Sequence, residues 1–211
     1  MENFTGVIDS VKLDLKACSV SIVAVEGSGL KGVEYTGAKD LEPVGAFEGG
    51  KLTFTQKAVG VFNSGVMATN KPRLTITIGK DTVLKFVDIY LKAGDLSVNG
   101  ITADWYSEVI DAGNITIAGC TFLKAEIRTK AGNTYIKSTN LNQTVIDANA
   151  GSVMLEAIED LERYDISCSV KTGDVKVAGE HCARTYSSKG KADGAPDYIR
   201  INVKVGSIAI N

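Results

Sequence analysis

A seven-residue motif recurs along this chain, and its regular spacing is the feature that most limits the fold. The motif is a charged or amide residue, then Ala, Gly, a short polar residue and three strand-forming residues. Its four clearest copies have glycines at steps of 19 residues: Gly94, Gly113, Gly132 and Gly151. A fixed period near 20 residues is typical of a solenoid, in which each repeat adds one rung to a shared core.

Looser copies of the motif lie outside this central region. Gly173 follows at a step of 22 residues and Gly206 at a step of 33. Near the start, Lys16–Ile22 repeats the pattern with Cys18 in the glycine slot. Because cysteine lacks the freedom of glycine at positive φ, we expect this first turn to be built differently.

Apolar residues recur at fixed distances from each glycine. They stand seven, five, three and one residue before it and two and four residues after it, as in Val87, Ile89, Leu91 and Ala93 before Gly94. Alternation with a period of two is the pattern of a strand that buries one face. The sequence therefore predicts an all-β solenoid, with about 19–22 residues per rung and these columns facing inward.

The turn residues have a physical role of their own. Glycine takes a positive φ, and the Asp, Asn or Ser after it can bond to nearby backbone. Two residues before the glycines the order is Lys92, Asp111, Lys130 and Asn149. If consecutive rungs are neighbours in space, opposite charges face each other there. Such exposed pairs favour one register and add about 0.2–1 kcal/mol each.

The whole chain, residues 1–211, is interpreted as one β-solenoid domain. Residues 1–84 carry strand patterns that are less regular, and residues 85–211 carry the regular repeats. The segment 156–165 is three residues longer than its counterparts. A longer polar insertion, 178–198, is expected to be a surface loop, and loops carry function more often than regular strands do.

Composition excludes several classes of protein. The net charge is -2, with 23 basic and 25 acidic residues. Without a basic run, nucleic acid is not an expected partner, because such binding needs clustered cations. No apolar run approaches the roughly 20 residues of a membrane span, and no signal-peptide pattern is visible. The four cysteines show neither CxxC nor finger spacing, so they predict neither a disulfide framework nor a metal finger.

The repeated motif resembles that of the bacterial putative-adhesin domain family, a β-solenoid family of unknown function. The resemblance is clearest over residues 87–210, and Tyr198–Ile210 is similar to the family's closing strands. It implies a place in the cell envelope or outside the cell. The absence of an export signal in this chain leaves the cytoplasm open. The resemblance brings no catalytic residues with it.

Three groups of residues are candidates for sites of chemistry. Glu108 is the one charge in the inward columns, and we expect a bulge to turn Val109 inward in its place, because a buried carboxylate is costly. His181 with Cys182, plus Cys168 or Cys120, could form a metal site or a Cys/His nucleophile pair. A single histidine gives little support for zinc, and Cys168 and Cys120 stand where other rungs carry apolar residues, so a structural role is expected. The acidic turn at 156–165 lacks a calcium-loop spacing. No catalytic, metal or cofactor site is therefore expected, and neither GxSxG nor a phosphate loop occurs.

Six residues are proposed as partner-binding positions. Three are aromatic residues that can face solvent on the sheets, and three lie in the long insertion: Trp105, Tyr90 and Tyr135, then His181, Arg184 and Tyr186. Exposed aromatic side chains can stack on sugars or dock a protein.

The expected function is that of a non-catalytic envelope module, adhesin-like, which binds a protein or a cell-wall or host glycan. One alternative is a polysaccharide-acting enzyme, since parallel β-helices often host lyases and hydrolases. The other is a cytoplasmic scaffold or regulator that forms a homo-oligomer through an end rung. Fold analogy alone does not decide among them.

Overall fold

The structure, a computed structural model, describes residues 4–57, 71–191 and 197–211. Within these ranges the chain forms two ten-stranded sheets and two short 3-10 turns, at Lys39–Leu41 and Leu161–Arg163. The long-strand sheet contains β1 (Ser10–Leu15), β4 (Val44–Glu48), β5 (Lys51–Thr55), β7 (Val83–Ala93), β9 (Thr102–Ala112), β11 (Thr121–Ala131), β13 (Asn140–Ala150), β15 (Tyr164–Thr172), β18 (Thr185–Ser188) and β19 (Asp197–Val205). The short-strand sheet contains β2 (Ser19–Val25), β3 (Leu30–Thr36), β6 (Arg73–Gly79), β8 (Leu96–Asn99), β10 (Ile115–Ala118), β12 (Thr134–Lys137), β14 (Val153–Glu156), β16 (Val175–Val177), β17 (Glu180–His181) and β20 (Ile208–Ile210).

One long strand and the short strand after it make a rung. The rungs β7–β8, β9–β10, β11–β12 and β13–β14 stack in parallel, and residues 19 apart in the sequence pair with each other. Ile89 pairs with Glu108, Glu108 with Ile127, and Ile127 with Ile146. Their side chains point into one core between the sheets. The predicted all-β solenoid with a 19-residue period is confirmed.

Two details of the inward columns differ from the prediction. The residue directly before each glycine is exposed, as at Ala93 and Ala112, because the chain already turns there. A buried column that the alternation did not reveal lies ten residues before each glycine: Leu84, Ala103, Phe122 and Leu141. Two consecutive residues after each of these point outward, as Lys85 and Phe86 do, so the period of two is interrupted once in every rung.

The glycine corners are closely packed. Gly113 has a φ of +153°, and a Cβ at this position would lie 2.0 Å from the carbonyl oxygen of Gly94. A Cβ at Gly132 would likewise lie 1.9 Å from the carbonyl oxygen of Gly113. Only glycine allows the backbones of adjacent rungs to approach this closely. Cys18, which begins the column, is not at positive φ, so its turn is built differently as expected.

Short polar residues after the glycines connect the rungs. Asn114 donates its backbone N–H to Asp95 Oδ1 at 2.8 Å, Asn133 to Asn114 Oδ1 at 3.0 Å, and Ser152 to Asn133 Oδ1 at 2.9 Å. The predicted contact across rungs between Lys130 and Asp111 is also present, with Nζ and Oδ1 2.8 Å apart. These contacts fix the register of the stack.

The order of rungs in space departs from their order in sequence at both ends. The rung β19–β20 lies between β13–β14 and β15–β16, and β1–β2 lies between β5–β6 and β7–β8. The first and last strands of the chain are thus paired on both sides. The segment 156–165 has to cross one additional rung, about 4.8 Å, which accounts for its three additional residues.

Antiparallel strands close both ends of the stack. β3 and β4 pair with β6 and β5 at one end, and β17 and β18 pair with β16 and β15 at the other. Part of the insertion 178–198 therefore forms strands, because β17 and β18 cover the backbone edge of the rung β15–β16. Residues 192–196 of it lie outside the described residues. A homo-oligomer formed end to end would have to pair these edge strands.

Candidate binding surface

Two of the proposed aromatic residues are engaged by neighbours. The Tyr90 hydroxyl donates to Asp111 Oδ2 at 3.1 Å, and Lys16 Nζ lies 5.0 Å from the centre of its ring. The Tyr135 hydroxyl donates to Glu156, and this contact raises the pKa of Tyr135 and lowers that of Glu156. Both side chains are half-buried, so they connect rungs more than they present a free ring face.

The three residues from the insertion lie on the cap of the stack. His181 is exposed, and its Nε2 lies 3.4 Å from Asp174 Oδ2. Arg184 is exposed, whereas Tyr186 is half-buried and packs on the core beside Cys168. The structure does not bring these three residues together with Trp105, which lies on β9 in a rung far along the stack.

Trp105, which is half-buried, belongs to an outward-facing ridge that sequence reasoning missed. The ridge is formed by the two consecutive outward residues of each regular rung: Lys85 and Phe86, Asp104 and Trp105, Leu123 and Lys124, Asn142 and Gln143. Phe86 is 57% exposed and Leu123 50%. Large apolar side chains at such exposure, grouped on one edge, are typical of interaction sites.

The ridge has a regular geometry. Phe86 pairs with Trp105, Trp105 with Lys124, and Lys124 with Gln143, so the side chains follow one another at the rung spacing of about 4.8 Å. Lys124 Nζ lies 5.6 Å from the centre of the Trp105 ring, within the range of a cation–π contact. Four rungs make a strip about 14 Å long, in which the aromatic Phe86 and Trp105 are followed by the polar Lys124 and Gln143. Phe86 and Leu123 could have been found only by noticing the interrupted alternation.

Glu108 is buried, and the expected bulge is absent from β9. Its side chain is 0% exposed while Val109 points outward, and the pairing of β9 with both neighbours runs without a shift. The prediction was wrong because Tyr106, two residues earlier in the same column, supplies a partner: its hydroxyl donates to Glu108 Oε2. Burial raises the pKa of Glu108 to about 8, so the carboxyl is neutral near pH 7 and its burial costs less. The ring of Tyr106 stacks on Phe122 with centres 4.4 Å apart.

Most of the cysteine and carboxylate side chains named in the sequence analysis are buried or paired with other described residues. Cys18, Cys120 and Cys168 are buried free thiols whose pKa is raised by burial, to about 12, 11 and 12. Most carboxylates of the 156–165 turn have their own partners, as Glu162 does in Lys191 and Asp165 in Lys189. Among all the residues that the structure describes, no group of three or more His, Cys, Asp or Glu side chains could hold a metal ion. No helix in the described ranges is long and apolar enough to cross a membrane.

Comparison with known proteins agrees with this architecture. The sequence model of the Toastrack DUF4097 family matches residues 8–208. A solved "putative cell adhesion protein" from Clostridium sporogenes ATCC 15579 superposes with a TM-score of 0.56 at 14% identity, over 99% of this chain and 98% of that one. At this identity the likeness shows the fold alone.

Two further solved structures, both called putative adhesins, are more distant. That from Bacteroides fragilis NCTC 9343 has a TM-score of 0.38 at 14% identity, over 100% of this chain and 97% of that one. That from Parabacteroides distasonis ATCC 8503 has a TM-score of 0.36 at 13% identity, over 99% and 95%. No curated protein matches the chain.

Proposed function

Because the chain belongs to the Toastrack DUF4097 family, we propose that it is an adhesin-like, non-catalytic binding module of the bacterial envelope that holds a glycan chain along the ridge. The observation that carries this proposal is the ridge itself. It combines the exposed side chains of Phe86 and Leu123 and the half-buried ring of Trp105 with polar side chains beside them. The description of the Clostridium sporogenes structure as a putative cell adhesion protein also supports a binding role.

A glycan suits this surface better than an apolar protein patch does. Sugar rings present an apolar face that stacks on aromatic side chains and hydroxyls that bond to polar neighbours. Lys124, Asn142 and Gln143 supply such donors and acceptors beside the apolar groups. The ridge spans four rungs, about 14 Å, and so offers an extended surface that an oligosaccharide can follow.

The ridge offers little for cleavage of that glycan. Glycoside hydrolysis needs two carboxyl groups on either side of the scissile bond, about 5–9.5 Å apart. Asp104 is the only carboxylate among the eight ridge residues. The composition of the ridge therefore favours retention of a glycan over its hydrolysis.

A glycan and cell-wall polymer array tests the proposal. The full chain is applied beside the variants Trp105→Ala and Phe86→Ala. We expect specific binding by the unchanged protein and a loss of about tenfold or more in each variant, since stacking of one ring contributes about 1–3 kcal/mol where it has been measured on nucleobases.

Met154→Ala is the matched control, because Met154 is 41% exposed on the outer face of the short-strand sheet, away from the ridge. It should bind as the unchanged protein does. Binding that survives the ridge variants, or its absence across the whole array, would count against a glycan on the ridge.

A further inference from the structure

A small cavity adjoins the C-terminal end of the ridge. Its volume is about 170 Å³, and it is formed by two successive corners and the 3-10 turn that covers them: Gly119, Cys120, Thr121, Ser138, Thr139, Asn140, Glu159, Arg163 and Tyr164. The covering turn is part of the longer segment 156–165 that crosses an additional rung.

Arg163 is held rigidly at this cavity. Its Nη2 donates to Asn140 Oδ1, to Tyr164 Oη at 2.7 Å and to Asn142 Oδ1 at 3.4 Å. Its Nε lies 3.5 Å from Asp197 Oδ2, and the guanidinium carbon lies 4.7 Å from the centre of the Tyr164 ring. Asn142 belongs to the ridge, so this network joins the two features. A side chain fixed in this way loses little entropy when it binds a ligand.

Several polar groups around the cavity remain unengaged. Arg163 Nη1, Ser138 Oγ, Thr121 Oγ1 and the Glu159 carboxylate make no hydrogen bond with the described residues. The wall thus presents donors from the guanidinium, acceptors from the carboxylate, and two hydroxyls that can act as either. This mixture matches a ligand that carries several hydroxyl groups.

The charged side chains around the cavity argue against strong binding of an anionic ligand. The guanidinium of Arg163 is already paired with Asp197, and Glu159 adds a second negative charge beside it. A carboxylate or phosphate ligand would meet that charge without a free cation to compensate it. The volume, equal to about five or six water molecules at about 30 Å³ each, admits one sugar ring rather than a chain.

We propose that this cavity binds a single neutral sugar unit, whose hydroxyls accept hydrogen bonds from Arg163, donate to Glu159 and exchange hydrogen bonds with Ser138 and Thr121. The inference deepens the proposed function and rests on it, since the cavity would hold one unit of the glycan that the ridge carries. Free monosaccharides nevertheless test it without the ridge.

Titration followed by amide NMR of the full chain is the experiment. The probes are glucose, galactose, mannose and N-acetylglucosamine, with glucuronate and glucosamine as charged comparisons. We expect at least one neutral sugar to produce saturable shifts at Thr121 and residues 138–140, with a dissociation constant on the order of 1–10 mM. Tighter binding of a charged sugar, or no saturable shift with any neutral one, would overturn the proposal.

Two variants locate the binding without disturbing the fold. Ser138 has a φ of +46°, and the equivalent corners carry Ala157 at +52° and Ala178 at +49°, so Ser138→Ala is compatible with this backbone. Ser138→Ala and Glu159→Gln should each weaken binding about threefold to tenfold. Ser97→Ala, on the outer face of the short-strand sheet, should leave binding unchanged.

The two proposals can fail separately. Polymer binding on the array with no shift from any neutral monosaccharide would overturn the proposal that the cavity binds a sugar. It would leave the proposal for the ridge standing. Monosaccharide shifts at residues 138–140 with no polymer binding would support sugar binding in the cavity and overturn the proposal that the ridge binds a glycan. Equal binding by Ser138→Ala, Glu159→Gln and the unchanged chain would place the sugar elsewhere and overturn the cavity.

Discussion

Glu108 lies in the core column between Ile89 and Ile127, with one carboxyl oxygen bonded to Tyr106 and the other, Oε1, without a partner among the described residues. A buried carboxyl in such a place remains neutral as long as the pH is below its raised pKa. The unfolded chain exposes the same carboxyl to water, where it ionises near its ordinary pKa. The two states therefore bind different numbers of protons over a range of pH.

The stability of the protein should fall as the pH rises from about 4.5 to about 8. Across this window the folded state retains a proton on Glu108 that the unfolded state has released, so the free energy of unfolding decreases by up to about 1.4 kcal/mol per pH unit. Above the folded pKa this loss levels off. Glu108→Gln cannot ionise and should flatten the profile in urea denaturation. Parallel profiles for the two proteins would contradict the assignment.

At the scale of the structural element, the two kinds of corner differ in what they tolerate. The corner at Gly113 brings two backbones into contact, whereas a Cβ at Gly119, in the second corner, meets no atom within 4 Å. Ser138, Ala157 and Ala178 occupy equivalents of Gly119 at φ between +46° and +52°. Positive φ is thus required at both corners, but close approach only at the first.

Replacing Gly113 by Ala should therefore cost much more than replacing Gly119. Gly113→Ala forces the rungs apart and should lower the free energy of unfolding by about 3 kcal/mol or more, beyond the strain of the dihedral itself. Gly119→Ala should lower the free energy of unfolding only by the strain of its positive φ, about 1–2 kcal/mol. Thermal or urea unfolding measures both variants. Equal losses would show that the clash at Gly113 relaxes without cost.

The elements could be predicted from sequence where local chemistry sets them. The glycine period, the columns at Val87, Ile89 and Leu91, and the contact of Lys130 with Asp111 all follow from alternation and spacing. Phe86 and Leu123 could not be placed outward, because a simple period of two continues through the break at residue 85 and assigns the wrong face. Glu108 could not be placed inward, because the alternation alone does not show that Tyr106, two residues away, supplies a partner for its carboxyl.

At the scale of the whole molecule, the positions of the end rungs could not be inferred. The motif around Gly206 fits beside Gly151 as well as beside Gly173, since the register is the same in either order. Only the longer segment 156–165 gave a sign that the chain skips a rung. The cavity at Arg163 depends on that crossing, so it too could not be predicted.

The inserted position of β19–β20 predicts an unusual order of protection. In a stack that followed the sequence, the last strands would fray first. Here β19 is paired on both sides by long parallel strands, while β15 has the shorter β18 on its outer side. Hydrogen exchange should therefore be slower in β19 than in β15. Faster exchange in β19 would contradict the rung order.

The central claim, that the ridge is the binding surface, is tested most directly by the fluorescence of Trp105, the only tryptophan in the chain. A glycan that binds in the array is titrated into the unlabelled protein while tryptophan emission is recorded. If the ridge holds the glycan, the emission changes saturably with the dissociation constant found by an independent binding measurement, and Met154→Ala gives the same curve. Binding with no change in Trp105 emission would place the glycan elsewhere and contradict the claim.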